Sequence, residues 1–242
     1  MSRRSRLVGA ALLLLACGAS TASAASGITV TFRAKDGVPI AGTFYQPSRR
    51  PGPCVILVHM LGRSRDDWQA LGSRLADAGI AALAIDLRGH GASGADPRTD
   101  PGASADLTPD LLDVQAARAF LLNRPDLGIT TVGMAGASIG ANLAVLAAAA
   151  DPTIRSLALL SPGLEYRHLY AEAALKKYGE RPALMIASQE DGYATRSARR
   201  LAKNGPGVRE IKLVNGAGHG TAMLSRQPDL ISLVLEWFQR TL

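Results

Sequence analysis

Thr131-Val132-Gly133-Met134-Ala135-Gly136-Ala137-Ser138-Ile139-Gly140-Ala141-Asn142-Leu143-Ala144-Val145-Leu146 is the stretch whose reading decides the fold. A short apolar run ends in Gly-x-Ser-x-Gly, and an Ala/Leu-rich run of helical character follows without a gap. The pattern predicts a strand, one very tight turn and a helix, with Ser138 at the apex. Gly136 and Gly140 keep side chains out of the place where strand and helix pass close together. A serine there presents its hydroxyl outward, and the helix N-terminus behind it favours negative charge. The five-residue pattern is common by itself; its strand-before, helix-after setting points to a nucleophile rather than a packing turn.

Outward from this elbow the same alternation repeats. Residues 28–45 read as a β-hairpin around Lys35-Asp36-Gly37, and residues 47–53 as a breaker-rich loop. Residues 54–59 form a continuous apolar run, the mark of a strand buried on both faces. Trp68, Leu71, Leu75 and Ala78 recur at helical spacing until Gly79. Further strands are predicted at 81–85, 156–160, 183–188 and 208–214. Helices are predicted at 106–123, 139–150, 169–178, 193–203 and 230–242, and residues 89–109 read as a surface loop. Buried strands separated by helices imply an α/β fold, a mostly parallel sheet of about eight strands covered on both faces. One domain, 28–242, accounts for all of it.

The first residues read differently. A basic start (Arg3, Arg4, Arg6), an apolar run at 7–16 and small residues at 17–25 make a signal peptide over 1–24. Two cleavage sites compete. Leu14-Leu15-Ala16-Cys17 resembles a bacterial lipobox, which would make Cys17 the lipidated first residue, whereas Ala22-Ser23-Ala24 offers an A-x-A site and a soluble exported product. The apolar run is too short to span a bilayer. The net charge of +7 owes three units to that start, and the rest is spread without a basic block. Nucleic acid is therefore not an expected partner. Cys17 and Cys54 offer no disulfide pair within a processed chain, and no Cys/His spacing suggests a metal.

In an open parallel sheet, function gathers at the carboxyl ends of the strands. The residues falling there are His59-Met60-Leu61-Gly62, Asp86-Leu87-Arg88-Gly89-His90-Gly91, Ser138, Ser161-Pro162, Glu190-Asp191 and His219. On these motifs the chain from 28 to 242 resembles the α/β-hydrolases. The elbow at 136–140, the turn at 86–93 and the Gly-flanked His219 loop follow that family's order. The resemblance is nearest to its small, dienelactone-hydrolase-like and carboxylesterase branch, with serine rather than cysteine as nucleophile.

The resemblance implies a triad in chain order Ser, acid, His. Ser138 is the nucleophile. Of the four histidines only His219 follows both the nucleophile and the acid strand. His59 and His90 are expected to brace loops, and His168 to lie on the surface. Asp191, just past the strand at 183–188, is the expected acid. Glu165, after the preceding strand, and Glu190 are the alternatives, Glu190 reading better as a solvated charge. Backbone N–H groups of Ile139 and Leu61 are the expected oxyanion donors. Met60 stands where the family usually has glycine, and its side chain is expected to narrow the acyl pocket. Only residues 161–182 are free for a lid, enough for one short helix, so the expected substrates are small or extended esters in an open cleft. No organic cofactor or metal is called for.

Overall fold

The computed structural model describes residues 27–95 and 106–242; the expected signal peptide at 1–24, with Cys17, lies outside them. The strands are β1 (Ile28–Arg33), β2 (Pro39–Tyr45), β3 (Gly52–Val58), β4 (Ala81–Ile85), β5 (Ile129–Ala137), β6 (Ile154–Leu160), β7 (Glu165–Tyr166), β8 (Leu169–Tyr170), β9 (Ala183–Ser188) and β10 (Arg209–Val214). The helices are α1 (Gln69–Asp77), α2 (Leu111–Leu122), α3 (Ile139–Ala150), α4 (Ala171–Tyr178), α5 (Gly192–Leu201), α6 (Ala222–Arg226) and α7 (Asp229–Thr241). Eight strands form one sheet in the order β1-β2-β4-β3-β5-β6-β9-β10. Within it β2 alone runs antiparallel to its neighbours, and the remaining pairs are parallel.

Why residues 54–58 are apolar without interruption is visible in the packing. Cys54, Ile56 and Val58 of β3 enter the core that also holds Val114 of α2, Leu143 of α3 and Ala198 of α5. Val55 and Leu57 enter the opposite core, with Leu71 and Leu75 of α1 and Trp237 and Phe238 of α7. Successive side chains leave opposite faces of a strand, so a strand covered on both faces must be apolar at every position. The sheet is a two-sided platform, and its strand ends are what position the site.

Two elements depart from the sequence reading. The helix expected from residue 169 begins at Ala171, and β7 and β8 ahead of it pair as a small hairpin, Glu165 opposite Tyr170 and Tyr166 opposite Leu169. Its two turn residues, Arg167 and His168, both have positive φ (47° and 72°). A two-residue hairpin needs that backbone whatever the side chains, and the usual Asn-Gly signal is missing here. The short α6, between the His219 loop and α7, has too few residues for a periodicity to register.

Candidate active site

The turn between β5 and α3 places Ser138 in a backbone conformation that residues other than glycine rarely adopt, φ 53° and ψ −117°. Such a conformation costs on the order of 1–3 kcal/mol and persists only where surrounding structure fixes it. Here the surroundings are tight. A Cβ on Gly136 would lie 2.1 Å from the Gly140 carbonyl oxygen, and one on Gly140 would lie 2.4 Å from that of Val58. The Ser138 N–H donates to the Leu160 carbonyl (2.9 Å), tying the elbow to β6. Ser138 is 7% exposed. Ile139 opens α3, where a helix leaves its first N–H groups without intrahelical acceptors.

The loop after β3 is braced by two histidines. The Leu87 N–H donates to His59 Nε2 (3.0 Å), which leaves the ring proton on Nδ1 to donate to the Met60 carbonyl (2.8 Å). His90 repeats the scheme: its Nε2 accepts from the Gly62 N–H (3.2 Å) and its Nδ1 meets the Arg88 carbonyl (3.0 Å). The two imidazoles thus join the loop at residues 60–62 to the turn after β4. Burial pushes the His59 imidazole down to about 4, so it is a neutral strut near neutral pH. That turn is itself fixed by charge. Buried Arg88 makes a two-pronged pair with buried Asp113 (2.6 Å) and reaches Asp36 (2.6 Å), while Asp86 receives the Arg65 N–H (2.7 Å), the Ala92 N–H (2.8 Å) and the Arg65 guanidinium. Leu61, 39% exposed, stands at the loop's apex. Met60 turns toward the other side of the site: a Cβ on Gly220 would come within 2.3 Å of its sulfur.

Asp191 and His219 meet. Asp191 caps α5, with Oδ1 accepting the Ala194 N–H (3.1 Å), and its Oδ2 lies 2.5 Å from His219 Nδ1. The cap fixes the carboxylate before the histidine arrives, which is why an aspartate at the start of this helix can hold an imidazole in one orientation. The His219 loop is pinned by Gly220 N–H to Ser161 Oγ (2.9 Å), Ala217 N–H to Ser188 Oγ (3.1 Å) and Gly216 N–H to Glu190 Oε1 (2.8 Å), and by the Thr221 hydroxyl to Asp67. Gly218 and Gly220 flank His219 with φ of 80° and 59°, where a side chain would be strained.

The other carboxylates are engaged elsewhere. Glu165 Oε1 accepts the His168 N–H (2.6 Å) within the hairpin, and His168 stays at that turn. Glu190 is an exposed charge, as its position suggests, but it is hydrogen-bonded rather than free. It accepts the Ser188 hydroxyl (2.5 Å) as well as the Gly216 N–H, and these bonds, the Ser188 one foremost, hold its carboxyl below the usual range.

Sequence reasoning missed the aromatic side of the site. Tyr166, half-buried on β7, donates a long bond to the Ser161 carbonyl (3.3 Å), and its phenol lies near the Ser138 side chain. Its ring stands edge-on to His219 (centroids 6.5 Å apart, 89°) and to Tyr193 (5.5 Å, 70°). The Tyr193 hydroxyl accepts the Glu165 N–H (3.1 Å) and donates to the Glu165 carbonyl (2.7 Å), hooking the hairpin to α5. Asn142 of α3 holds it from beneath through Leu169 O (2.7 Å) and the Gly163 N–H (3.1 Å). Among the described residues no three His, Cys, Asp or Glu side chains converge as metal ligands, and no helix is long and apolar enough to cross a membrane.

Solved structures resemble this arrangement over about nine-tenths of the chain. A dienelactone hydrolase of Anabaena variabilis superposes with a TM-score of 0.75 at 22% identity, covering 91% of this chain and 100% of its own. An esterase of Pyrococcus furiosus gives 0.71 at 18% identity (89% and 91%). The Est1E protein of Butyrivibrio proteoclasticus, solved with ferulic acid, gives 0.74 at 18% identity (88% and 99%). These likenesses establish the fold. Among curated proteins, a polyketide transferase of Stachybotrys chlorohalonatus is 28% identical over 138 residues, 57% of this chain. A putative phosphoribosyl transferase of Mycobacterium tuberculosis is 29% identical over 209 residues, 83% of this chain. The chain spans only 45% and 44% of the length of these two relatives. The family model described as "Serine aminopeptidase, S33" matches residues 49–183, a span that contains the Ser138 elbow and ends before Asp191. That match takes in more than half of the chain, and the chain accordingly belongs to the serine aminopeptidase S33 family of α/β-hydrolases.

Proposed function

We propose that the protein is a serine carboxylesterase that cleaves small or extended esters through an acyl-enzyme. The observation that carries this reading is the 2.5 Å contact between Asp191 Oδ2 and His219 Nδ1, made at the same carboxyl-end edge of the sheet as the turn that holds Ser138 at positive φ. Ser138 Oγ attacks the ester carbonyl as His219 Nε2 takes its proton. Asp191 keeps Nδ1 protonated and stabilises the imidazolium. The N–H groups of Ile139 and Leu61 receive the oxyanion. The imidazolium then protonates the departing alcohol, and water, activated by His219, releases the acid. Support for small substrates comes from the short connection between β6 and β9, which holds only the hairpin and α4.

A second reading keeps the same acyl-enzyme and passes the acyl group to an acceptor other than water; the likeness to a polyketide transferase favours it. A fluorophosphonate probe tests the shared core. It is expected to label Ser138 in one-to-one stoichiometry, and Ser138→Ala or His219→Ala to abolish labelling; modification of another serine would overturn the assignment. Release of free acid from p-nitrophenyl butyrate, with and without added alcohol acceptors, separates hydrolysis from transfer.

A further inference from the structure

We propose that Tyr166 is a further catalytic residue, whose hydroxyl donates a hydrogen bond to the alcohol oxygen of the ester as the C–O bond breaks. The inference rests on the serine-esterase reading above and deepens it. Its grounds are positional. In the sheet, β5 lies between β3 and β6. Leu61 lies in the loop that follows β3, on one side of the Ser138 turn, whereas Tyr166 and His219 lie in segments that follow β6 and β10, on the other. A carbonyl whose oxygen points to the Ile139 and Leu61 N–H groups must turn its alkoxy oxygen toward His219, because that imidazole has to protonate it. The Tyr166 hydroxyl neighbours the Ser138 side chain, and its ring stands edge-on to the His219 ring. It therefore flanks the alkoxy oxygen in the tetrahedral intermediate.

The residue is also built to stay there. Gly163 leaves the space that the Tyr166 ring fills, since a Cβ on it would lie 2.5 Å from the ring. Tyr193, Asn142 and the Ser197 hydroxyl (3.2 Å to the Leu164 N–H) fasten the segment that carries it. Its bond to the Ser161 carbonyl, at 3.3 Å, is long for an O–H donor and is readily exchanged for a better acceptor. Burial holds the phenol far above its ordinary range, so it remains a protonated donor at any working pH. The atoms balance without it changing state. The C–O electron pair goes to the alkoxy oxygen, the proton arrives from the His219 imidazolium, which took it from Ser138, and Tyr166 keeps its own.

Tyr166→Phe removes the donor and little else. A departing oxygen that carries much negative charge needs the donor most, so the loss should grow with the basicity of the leaving group. Measured as kcat/KM, the full-length variant is expected to lose about tenfold on ethyl butyrate and less than twofold on p-nitrophenyl butyrate. Substituted phenyl butyrates should fall on a steeper leaving-group line than for the wild type. The fluorophosphonate rate, with a fluoride leaving group, should stay within about twofold, which also shows the variant folded. Equal losses across the esters, no loss on ethyl butyrate, or loss of labelling in a variant with unchanged thermal unfolding would each overturn the role. Failure of the wild type to label at Ser138 would instead remove the reading beneath it.

Discussion

Glu190 and Asp191 are adjacent carboxylates with different work, and the difference comes from where the chain turns. Asp191 is the N-cap of α5, so its short side chain is held at the helix start within reach of His219. Glu190, one residue earlier, reaches across to Ser188 and the Gly216 N–H and so fastens the loop that carries His219. Asp191→Asn should lower kcat on the order of 10⁴-fold, since the amide presents a donor where the imidazole needs an acceptor. Glu190→Gln keeps an oxygen for Gly216, so a change within a few-fold is expected. Glu165→Gln should also be mild, because its carboxylate serves the hairpin turn. Steady-state kinetics of the three variants on one ester check this, and a crippled Glu165→Gln beside a mild Asp191→Asn would move the acid to the earlier strand. At this scale the sequence was readable where a motif fixes local geometry: the Gly-x-Ser-x-Gly run does form a tight turn between strand and helix with Ser138 at positive φ, and Asp191 does meet His219, the pair that the family resemblance implied. It was silent on Tyr166, because a tyrosine in a loop carries no signature of what it will face.

The elements show why loops, rather than strands, carried the surprises. Strands β3 to β6 and β9 were legible because burial on both faces makes them nearly continuous apolar runs, with polar residues such as Thr130, Thr131, Arg155, Ser156 and Ser188 only toward their ends. The β7–β8 hairpin was not, since four residues give no alternation and its left-handed turn is made by Arg167 and His168 in place of glycine. The loop after β3 lies between. His59 followed a readable strand, but its role as a neutral strut depends on Leu87, 28 residues away. That role has a pH signature. The folded imidazole titrates near 4 and an unfolded histidine near 6.5, so between those values the unfolded chain binds a proton that the folded chain refuses. Stability is therefore full above the upper value and falls as pH drops through the window, by about 3 kcal/mol at its end. Urea unfolding from pH 7 to 4.5 should show this slope in the wild type and a shallower one in His59→Asn, which cannot titrate. Parallel slopes would show that other groups account for the acid sensitivity.

For the whole molecule, fold and cleft follow from one rule: a parallel sheet covered on both faces leaves its strand ends as the place where loops converge. Here those ends collect Ser138, Asp191 and His219 from three parts of the chain, and the short β6–β9 connection lays a fastened hairpin beside them. Where the protein works was expected from residues 1–24, outside the described residues. We propose that Cys17 becomes the lipidated first residue of an exported protein. It directly follows a small residue at the end of the apolar run, and residues 18–27 are small and uncharged. A lipid on that residue would keep the protein at the membrane. The mature protein is then expected to begin at Cys17 and to partition into the detergent phase on Triton X-114 extraction, with Cys17→Ser releasing it to the aqueous phase. A mature N-terminus near Ala25, with aqueous partitioning of the unmodified protein, would show instead that the A-x-A site is cut and that the protein is exported free.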